Sequence, residues 1–158
     1  MSPAAYPDPD RLRAANINPA TGLATDYLNH YNEVAMLIAT LSDIPEMRDS
    51  VLEWQPVGYP THFARTGFSD KGLAIAAYIT APRETKAQFL AARDALESQI
   101  GDVQIRLASA PEAPSGIARE ADAIFAGIAR LGGIINGGKA VPLVKQSAEQ
   151  DLVDSFFP

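Results

Sequence analysis

The residues best suited to chemistry lie along one edge of the first strongly amphipathic segment. Apolar side chains recur in this segment every three to four residues, the period of a helix with one buried face. They are Leu23, Tyr27, Val34, Ile38 and Leu41. Asp26, His30 and Glu33 follow the same helical spacing on the flank of that face. Carboxylates and an imidazole placed in this way can bind zinc, iron or manganese, or can transfer protons.

His62 is the second of only two histidines and could complete this set from another helix. The four side chains would then form a transition-metal site, or an acid/base site with His30 as ligand or general base. A simpler interpretation is that Asp26 and His30, four residues apart, form an intrahelical pair on the polar border of the helix. We favour this interpretation, because a His-x-x-Glu spacing is common by chance and no further carboxylate can be placed beside it.

Aromatic residues are concentrated in the first half of the chain and could line a pocket for a small apolar ligand. The pocket candidates are Tyr27, Asn29, Tyr31, Trp54, Tyr59 and Phe63. Core packing is the alternative that we favour, because aromatic side chains supply much of the buried surface of any small domain.

A glycine motif from Gly133 to Lys139 fits the spacing of a phosphate-binding loop, but Ala140 stands where Ser or Thr would hold magnesium. A phosphate loop also follows a strand and opens a helix, whereas these glycines follow a helical pattern and Pro142 follows four residues after Gly138. We therefore predict that 136–138 ends a helix.

The last residues have the spacing of a sliding-clamp-binding peptide, with a glutamine, an aliphatic residue and two aromatics. The partner-binding candidates are Gln150, Val153, Phe156 and Phe157. An exposed pair of phenylalanines would mark a partner or dimer surface. We favour the alternative, in which the tail docks back on the helices.

Charge and composition exclude several classes of protein. The chain has 158 residues, 13 basic against 19 acidic side chains and a formal charge of −6, which argues against a nucleic-acid surface. The absence of cysteine removes disulfides and thiolate metal sites. Neither a signal-peptide pattern nor a run of 18 apolar residues is present, so we expect a cytoplasmic protein without membrane binding.

Turn residues divide the first half into helical segments. A turn at 18–22 precedes a helix over about 23–41, and a capping pattern at 43–46 starts a second helix that ends at Gln55-Pro56. A short helix is predicted within 57–70, with Pro60 in its first turn and Gly67 as a left-handed stop.

The remaining segments are also predicted to be helical. The apolar run 71–79 predicts a buried helix, with a strand as the alternative. A longer helix is predicted to continue through Gly101 to about 109, although alternation within 102–109 also fits a short strand. The last helix is predicted to begin near Ser115 as its cap.

These elements predict one irregular all-α bundle of five or six helices. An extended N-terminal arm over 1–17 precedes the bundle domain at 18–138, and a C-terminal tail at 139–158 docks on it.

The run from Asn18 to His30, together with Trp54-Gln-Pro and His62-Phe-Ala, resembles an uncharacterised family of small alphaproteobacterial proteins. The resemblance covers about 17–80 and implies a bacterial, cytoplasmic origin. It implies no activity.

No assembled catalytic set is visible, so we predict a non-catalytic interaction or regulatory protein that binds a protein partner or associates with itself. The aromatic first half or the tail would make the contact. The rival hypotheses are the metal or acid/base site on Asp26, His30, Glu33 and His62, and a pocket for an apolar ligand.

Overall fold

Helices form every regular element that is described in the structure, a computed structural model covering residues 7–110 and 115–137. The all-α class is therefore confirmed. This part of the chain contains seven α-helices. They are α1 Pro9–Ala14, α2 Leu28–Thr40, α3 Arg48–Glu53, α4 Tyr59–Arg65, α5 Lys71–Ile79, α6 Arg83–Ala108 and α7 Ile117–Ile135. Short 3-10 turns, Thr25–Tyr27 and Pro45–Met47, lead into α2 and α3.

The main core lies where α7 packs against both α2 and α6. All five apolar residues predicted to form the buried face between Leu23 and Leu41 are buried. The periodic residues of α7 from Ile117 to Ile135 are buried as well, which confirms the predicted face of that helix. Burial of these faces supplies most of the favourable free energy of folding, since each aliphatic side chain contributes about 1.5–3 kcal/mol.

Two glycines bring α7 close to its neighbours. A Cβ at Gly127 would lie 3.0 Å from Leu96 Cδ1 of α6, and one at Gly132 would lie 3.3 Å from Leu28 Cδ1 of α2. The absence of side chains at these positions therefore leaves room for leucines from both flanking helices.

The predicted extended arm is wrong where the structure describes it, because 9–14 form α1. Asp8 caps this helix by accepting a hydrogen bond from the Asp10 backbone N–H at 3.1 Å, and Pro9 begins it. Leu12 and Ile17 are completely or almost completely buried, so α1 is docked on the core. Residues 1–6 and the predicted tail 139–158 lie outside the described residues.

The turn predicted at 18–22 is confirmed. The Asn18 side chain accepts hydrogen bonds from the backbone N–H groups of Ala20 and Thr21, and Gly22 has a φ of 73°. The Thr21 hydroxyl donates to the Ile135 carbonyl at 2.6 Å, so this turn caps the C-terminal end of α7.

Three predicted boundaries differ from the structure. The first α-helix begins at Leu28 and not near Leu23, because Ala24 is extended and a 3-10 turn intervenes. Helix α4 ends with Thr66 in an extended conformation, so Gly67 is not a left-handed stop. Helix α7 begins after Gly116, whose φ of 84° places it in the left-handed region, so Ser115 is not the cap.

The two predicted strand alternatives are wrong. Segment 71–79 is α5, and α6 runs without interruption from Arg83 to Ala108 through Gly101. Among the helices of the described residues, none has both the length and the apolar character needed to cross a membrane.

Gly101 and Gly116 provide a matched test of glycine inside a helix against glycine in the left-handed region. A Cβ added at either position meets no atom within 4 Å, but Gly101 is inside α6 and Gly116 has positive φ. We expect Gly101→Ala to raise the free energy of unfolding by about 0.5–1 kcal/mol. We expect Gly116→Ala to lower it by about 1–2 kcal/mol. Urea denaturation followed by circular dichroism measures both, and changes of the same sign would contradict the assignment.

Candidate functional site

Asp26 and His62 form a half-buried hydrogen-bonded pair. Asp26 lies in the 3-10 turn before α2 and His62 lies in α4, and His62 Nε2 is 2.9 Å from Asp26 Oδ2. The His62 residue is only 7% exposed, whereas the Asp26 side chain is 35% exposed. The pair connects two elements that are 36 residues apart in the sequence.

His30 has different partners from those predicted. Its Nε2 lies 2.7 Å from the Gln55 backbone carbonyl, and its ring stacks on Trp54 at 4.7 Å between centroids. The Trp54 indole N–H donates in return to the His30 backbone carbonyl at 3.1 Å. The intrahelical pair of Asp26 and His30 is therefore replaced by two long-range contacts.

The contact with Gln55 also shows which ring nitrogen of His30 carries a hydrogen. A carbonyl oxygen can only accept a hydrogen bond, so Nε2 of His30 must carry the hydrogen. Nε2 is therefore unavailable as a metal ligand while this bond exists.

The four predicted metal or acid/base residues do not converge. The structure joins Asp26 to His62 and directs His30 to Gln55, while Glu33 is exposed on α2. Across residues 7–110 and 115–137, no group of three or more His, Cys, Asp or Glu side chains is arranged to hold a metal ion.

An Asp–His hydrogen bond can orient an imidazole for proton transfer. In this protein the His62 ring packs edge-on against Tyr27 at 5.4 Å and against Phe63 at 4.8 Å. These contacts hold the ring in place and bury it, so they fix α4 against the start of α2.

The sequence analysis missed a buried hydrogen-bonded chain that connects α2 to α6. The Tyr27 hydroxyl is 2.6 Å from the Val57 carbonyl and 2.8 Å from the Tyr31 hydroxyl. The Tyr31 hydroxyl is in turn 2.6 Å from Glu97 Oε2. Arg93, four residues before Glu97 on α6, lies 4.0 Å from the same carboxylate oxygen. The i, i+4 spacing of Arg93 and Glu97 beside a buried face was the available sequence signal.

The hydrogen-bonded groups from Val57 to Glu97 make three short contacts but carry only two hydroxyl hydrogens. Its three oxygen–oxygen distances are 2.6, 2.8 and 2.6 Å. Each tyrosine hydroxyl carries one hydrogen, and neither a carbonyl nor a carboxylate donates. With Glu97 as a carboxylate, one of the three contacts therefore lacks a hydrogen. We call these four groups, on Val57, Tyr27, Tyr31 and Glu97, the tyrosine chain.

Burial has a large effect on the ionisation of these tyrosines. It raises the pKa of Tyr27 from 10.0 to about 12, although the short contact with the Tyr31 hydroxyl lowers it somewhat. Burial, followed by the hydrogen bond to Glu97, raises the pKa of Tyr31 far above its ordinary range. Burial also raises the pKa of Tyr59, whose hydroxyl accepts a 2.8 Å hydrogen bond from the Ala24 N–H. All three are neutral at physiological pH.

The candidate pocket residues are packed against one another in the core. Tyr27, Tyr31, Tyr59 and Phe63 have no exposed surface, and Trp54 is 8% exposed. Asn29 is exposed and its amide donates to Asp26. A surface groove of about 310 Å³ lies elsewhere, lined by residues of α6 and α7. They are Gln99, Asp102, Ile105, Arg106 and Glu120.

The glycine motif begins inside α7, where Gly133 is buried, and Gly137 follows the helix with a φ of 109°. The prediction that this motif ends a helix is confirmed as far as Gly137. Lys139 and Ala140 lie outside the described residues, as do the tail candidates Gln150, Val153, Phe156 and Phe157.

Comparisons with protein-family models, with curated proteins and with solved structures found no match to this chain. The resemblance to an alphaproteobacterial family therefore stays a prediction.

A double-mutant cycle can locate the missing hydrogen of the tyrosine chain. We expect Tyr27→Phe and Tyr31→Phe to show a coupling free energy that is near zero or unfavourable, because no hydrogen is available between their hydroxyls. In a Glu97→Gln background the amide supplies a donor to Tyr31, so the coupling is expected to become favourable by about 1 kcal/mol. Urea denaturation of the wild type and the seven variants measures both couplings. A favourable coupling already present with the native Glu97 would contradict the hydrogen count.

Alkaline titration tests the burial of the tyrosines. The folded-state pKa values of Tyr27, Tyr31 and Tyr59 exceed the unfolded value of about 10. Below pH 10 these residues are neutral in both states, so their ionisation does not reduce the free energy of unfolding. As pH rises from about 10 towards 12, the unfolded chain ionises first, and the free energy of unfolding falls by up to about 1.4 kcal/mol per pH unit for each residue. We expect tyrosinate absorbance of these residues to appear only together with loss of helical circular dichroism. Ionisation of all five tyrosines near pH 10 with the helices intact would contradict it.

Proposed function

We propose that this protein is a non-catalytic helical module that acts by binding a protein partner. The supporting observation is that both histidines and Asp26 are engaged in contacts within the fold. His62 is bonded to Asp26, and His30 is bonded to Gln55 and stacked on Trp54. These groups stabilise the arrangement of the helices, so the function is assigned to the surface.

Large apolar side chains on that surface give the proposal its candidate contact points. Among the described residues, Met36 is 60% exposed, Ile44 42%, Ile79 65% and Ile105 69%. Single exposed apolar residues are common, but those that bind a partner lose this unfavourable exposure in the complex. The four positions therefore define where contact should be sought.

An acid/base role for Asp26 and His62 is the second candidate function, and the 2.9 Å hydrogen bond between them favours it. It requires a substrate to reach a histidine that is 7% exposed. The two proposals differ in what a histidine substitution does, since partner binding does not use the imidazole of His62.

Site-specific photo-crosslinking in the cells that express the protein tests the proposal. A photoreactive phenylalanine analogue replaces Met36, Ile44, Ile79 or Ile105, one at a time. We expect at least one position to give a discrete crosslinked species with another protein, because exposed apolar positions at an interface are in van der Waals contact with the partner. The matched controls place the same analogue at Asp94 and Asp122, which are exposed polar positions on α6 and α7.

The same crosslinks should form in a His62→Gln variant that retains its helical circular dichroism. The proposal would be overturned if none of the four apolar positions gave more crosslinked product than the controls at equal expression. Loss of the crosslink in the folded His62→Gln variant would also count against it, and would favour a role for the Asp26 and His62 pair.

A further inference from the structure

We propose that the end of α2 and the start of α3 form a docking surface for a basic amphipathic helix of the partner. This inference rests on the proposed partner-binding function and names both the surface and the chemistry that it recognises. We call the surface the acidic ridge. It comprises a row of exposed or half-buried residues, Met36, Thr40, Ile44 and Met47, and the exposed acidic side chains of the same segment, Glu33, Asp43, Glu46, Asp49 and Glu53.

Backbone hydrogen bonds connect successive members of the row. Thr40 lies one helical turn after Met36, and the Thr40 carbonyl accepts from the Ile44 N–H at 2.7 Å. The Ile44 carbonyl then accepts from the Met47 N–H at 3.0 Å. Because helical turns are about 5.4 Å apart, the side chains of Met36, Thr40 and Ile44 follow one another along one face at the end of α2, which is the geometry that a helix docks against.

The apolar members of the row are available for contact. Met36 is 60% exposed and Ile44 is 42% exposed, while Met47 is half-buried against the core. Methionine adapts its shape to different partners, so two methionines flanking an isoleucine suit an intermolecular contact.

The exposed charges of this segment are of one sign. Glu33, Asp43, Glu46, Asp49 and Glu53 are all exposed. The one Lys or Arg between 28 and 53 is Arg48. Its guanidinium is turned towards α6, where it donates to the carbonyls of Leu107 and Ala110 at 2.8 and 2.9 Å. The cation of this segment is therefore used to cap α6, and the surface of the segment keeps only acidic charges.

This charge pattern favours a basic partner for the acidic ridge over the other classes of partner. A second copy docked on the same surface by two-fold symmetry would bring the acidic side chains of both copies together. Nucleic acid and anionic membranes would be repelled for the same reason. A helix with lysine or arginine beside an apolar stripe satisfies both components of the acidic ridge.

Fluorescence anisotropy with designed peptides tests the inference on the full chain. The probe is a labelled amphipathic peptide of about 18 residues with leucines on one face and lysines on the other. We expect it to bind, and we expect salt to weaken the binding. A matched peptide with glutamate in place of lysine, and a scrambled peptide of the same composition, should bind at least about tenfold more weakly.

Surface variants locate the binding. We expect two double variants to lower the affinity for the lysine peptide by about tenfold or more each. They are Met36→Glu with Ile44→Glu, and Asp43→Lys with Glu46→Lys. Ile79→Glu is the matched control, because Ile79 is about as exposed as Met36 but lies on α5. It should change the affinity by less than about twofold. Circular dichroism verifies that every variant keeps its helices.

Equal weakening by Ile79→Glu, or equal binding of the glutamate peptide, would overturn the inference. So would a dimer in sedimentation experiments that Met36→Glu with Ile44→Glu abolishes, because the occupant would then be a second copy. Crosslinks confined to Ile79 or Ile105, with no peptide binding, would refute the acidic ridge and leave the proposed function intact. Absence of crosslinks at all four apolar positions would refute the proposed function itself.

Discussion

Burial of the tyrosine hydroxyls is the constraint on which the arrangement of α2, α4 and α6 depends. A hydroxyl in the core must find a hydrogen-bond partner, because leaving it unpaired costs about 1–3 kcal/mol. The Tyr31 hydroxyl reaches Glu97 on α6, and the Tyr27 hydroxyl reaches the Val57 carbonyl. The Tyr59 hydroxyl at the start of α4 accepts from the Ala24 N–H. A displacement of any of these elements would leave a buried polar group without its partner.

The two histidines reinforce the same connections from the periphery of the aromatic cluster. His62 joins α4 to the turn before α2, and His30 joins α2 to the segment that follows α3. Both residues combine a hydrogen bond with ring packing, so each is more specific in its position than an apolar residue of equal size. Residue types that suit catalysis therefore serve here to define the contacts between short helices.

Periodicity was sufficient to predict the helices that follow α1 and the buried faces of α2 and α7, because a 3.6-residue repeat of apolar side chains is a local property. It misplaced the start of α2, since a 3-10 turn at Thr25–Tyr27 continues nearly the same spacing. The partners of the polar residues could not be predicted in this way. Tyr31 and Glu97 are 66 residues apart, and Asp26 and His62 are 36 apart, so their meeting depends on how the helices pack. Asp26 and His62, which the structure joins, were both among the predicted residues, but with His30 as an expected neighbour.

The position of Trp54 gives the molecule an internal optical reporter. It is the one tryptophan in the sequence, it is 8% exposed, and it lies against both His30 and Tyr31. Its indole N–H is bonded to the His30 carbonyl, so its surroundings change if α2 separates from the segment after α3. The emission of this single fluorophore therefore follows one defined junction of the fold, without any label, while circular dichroism follows all the helices at once.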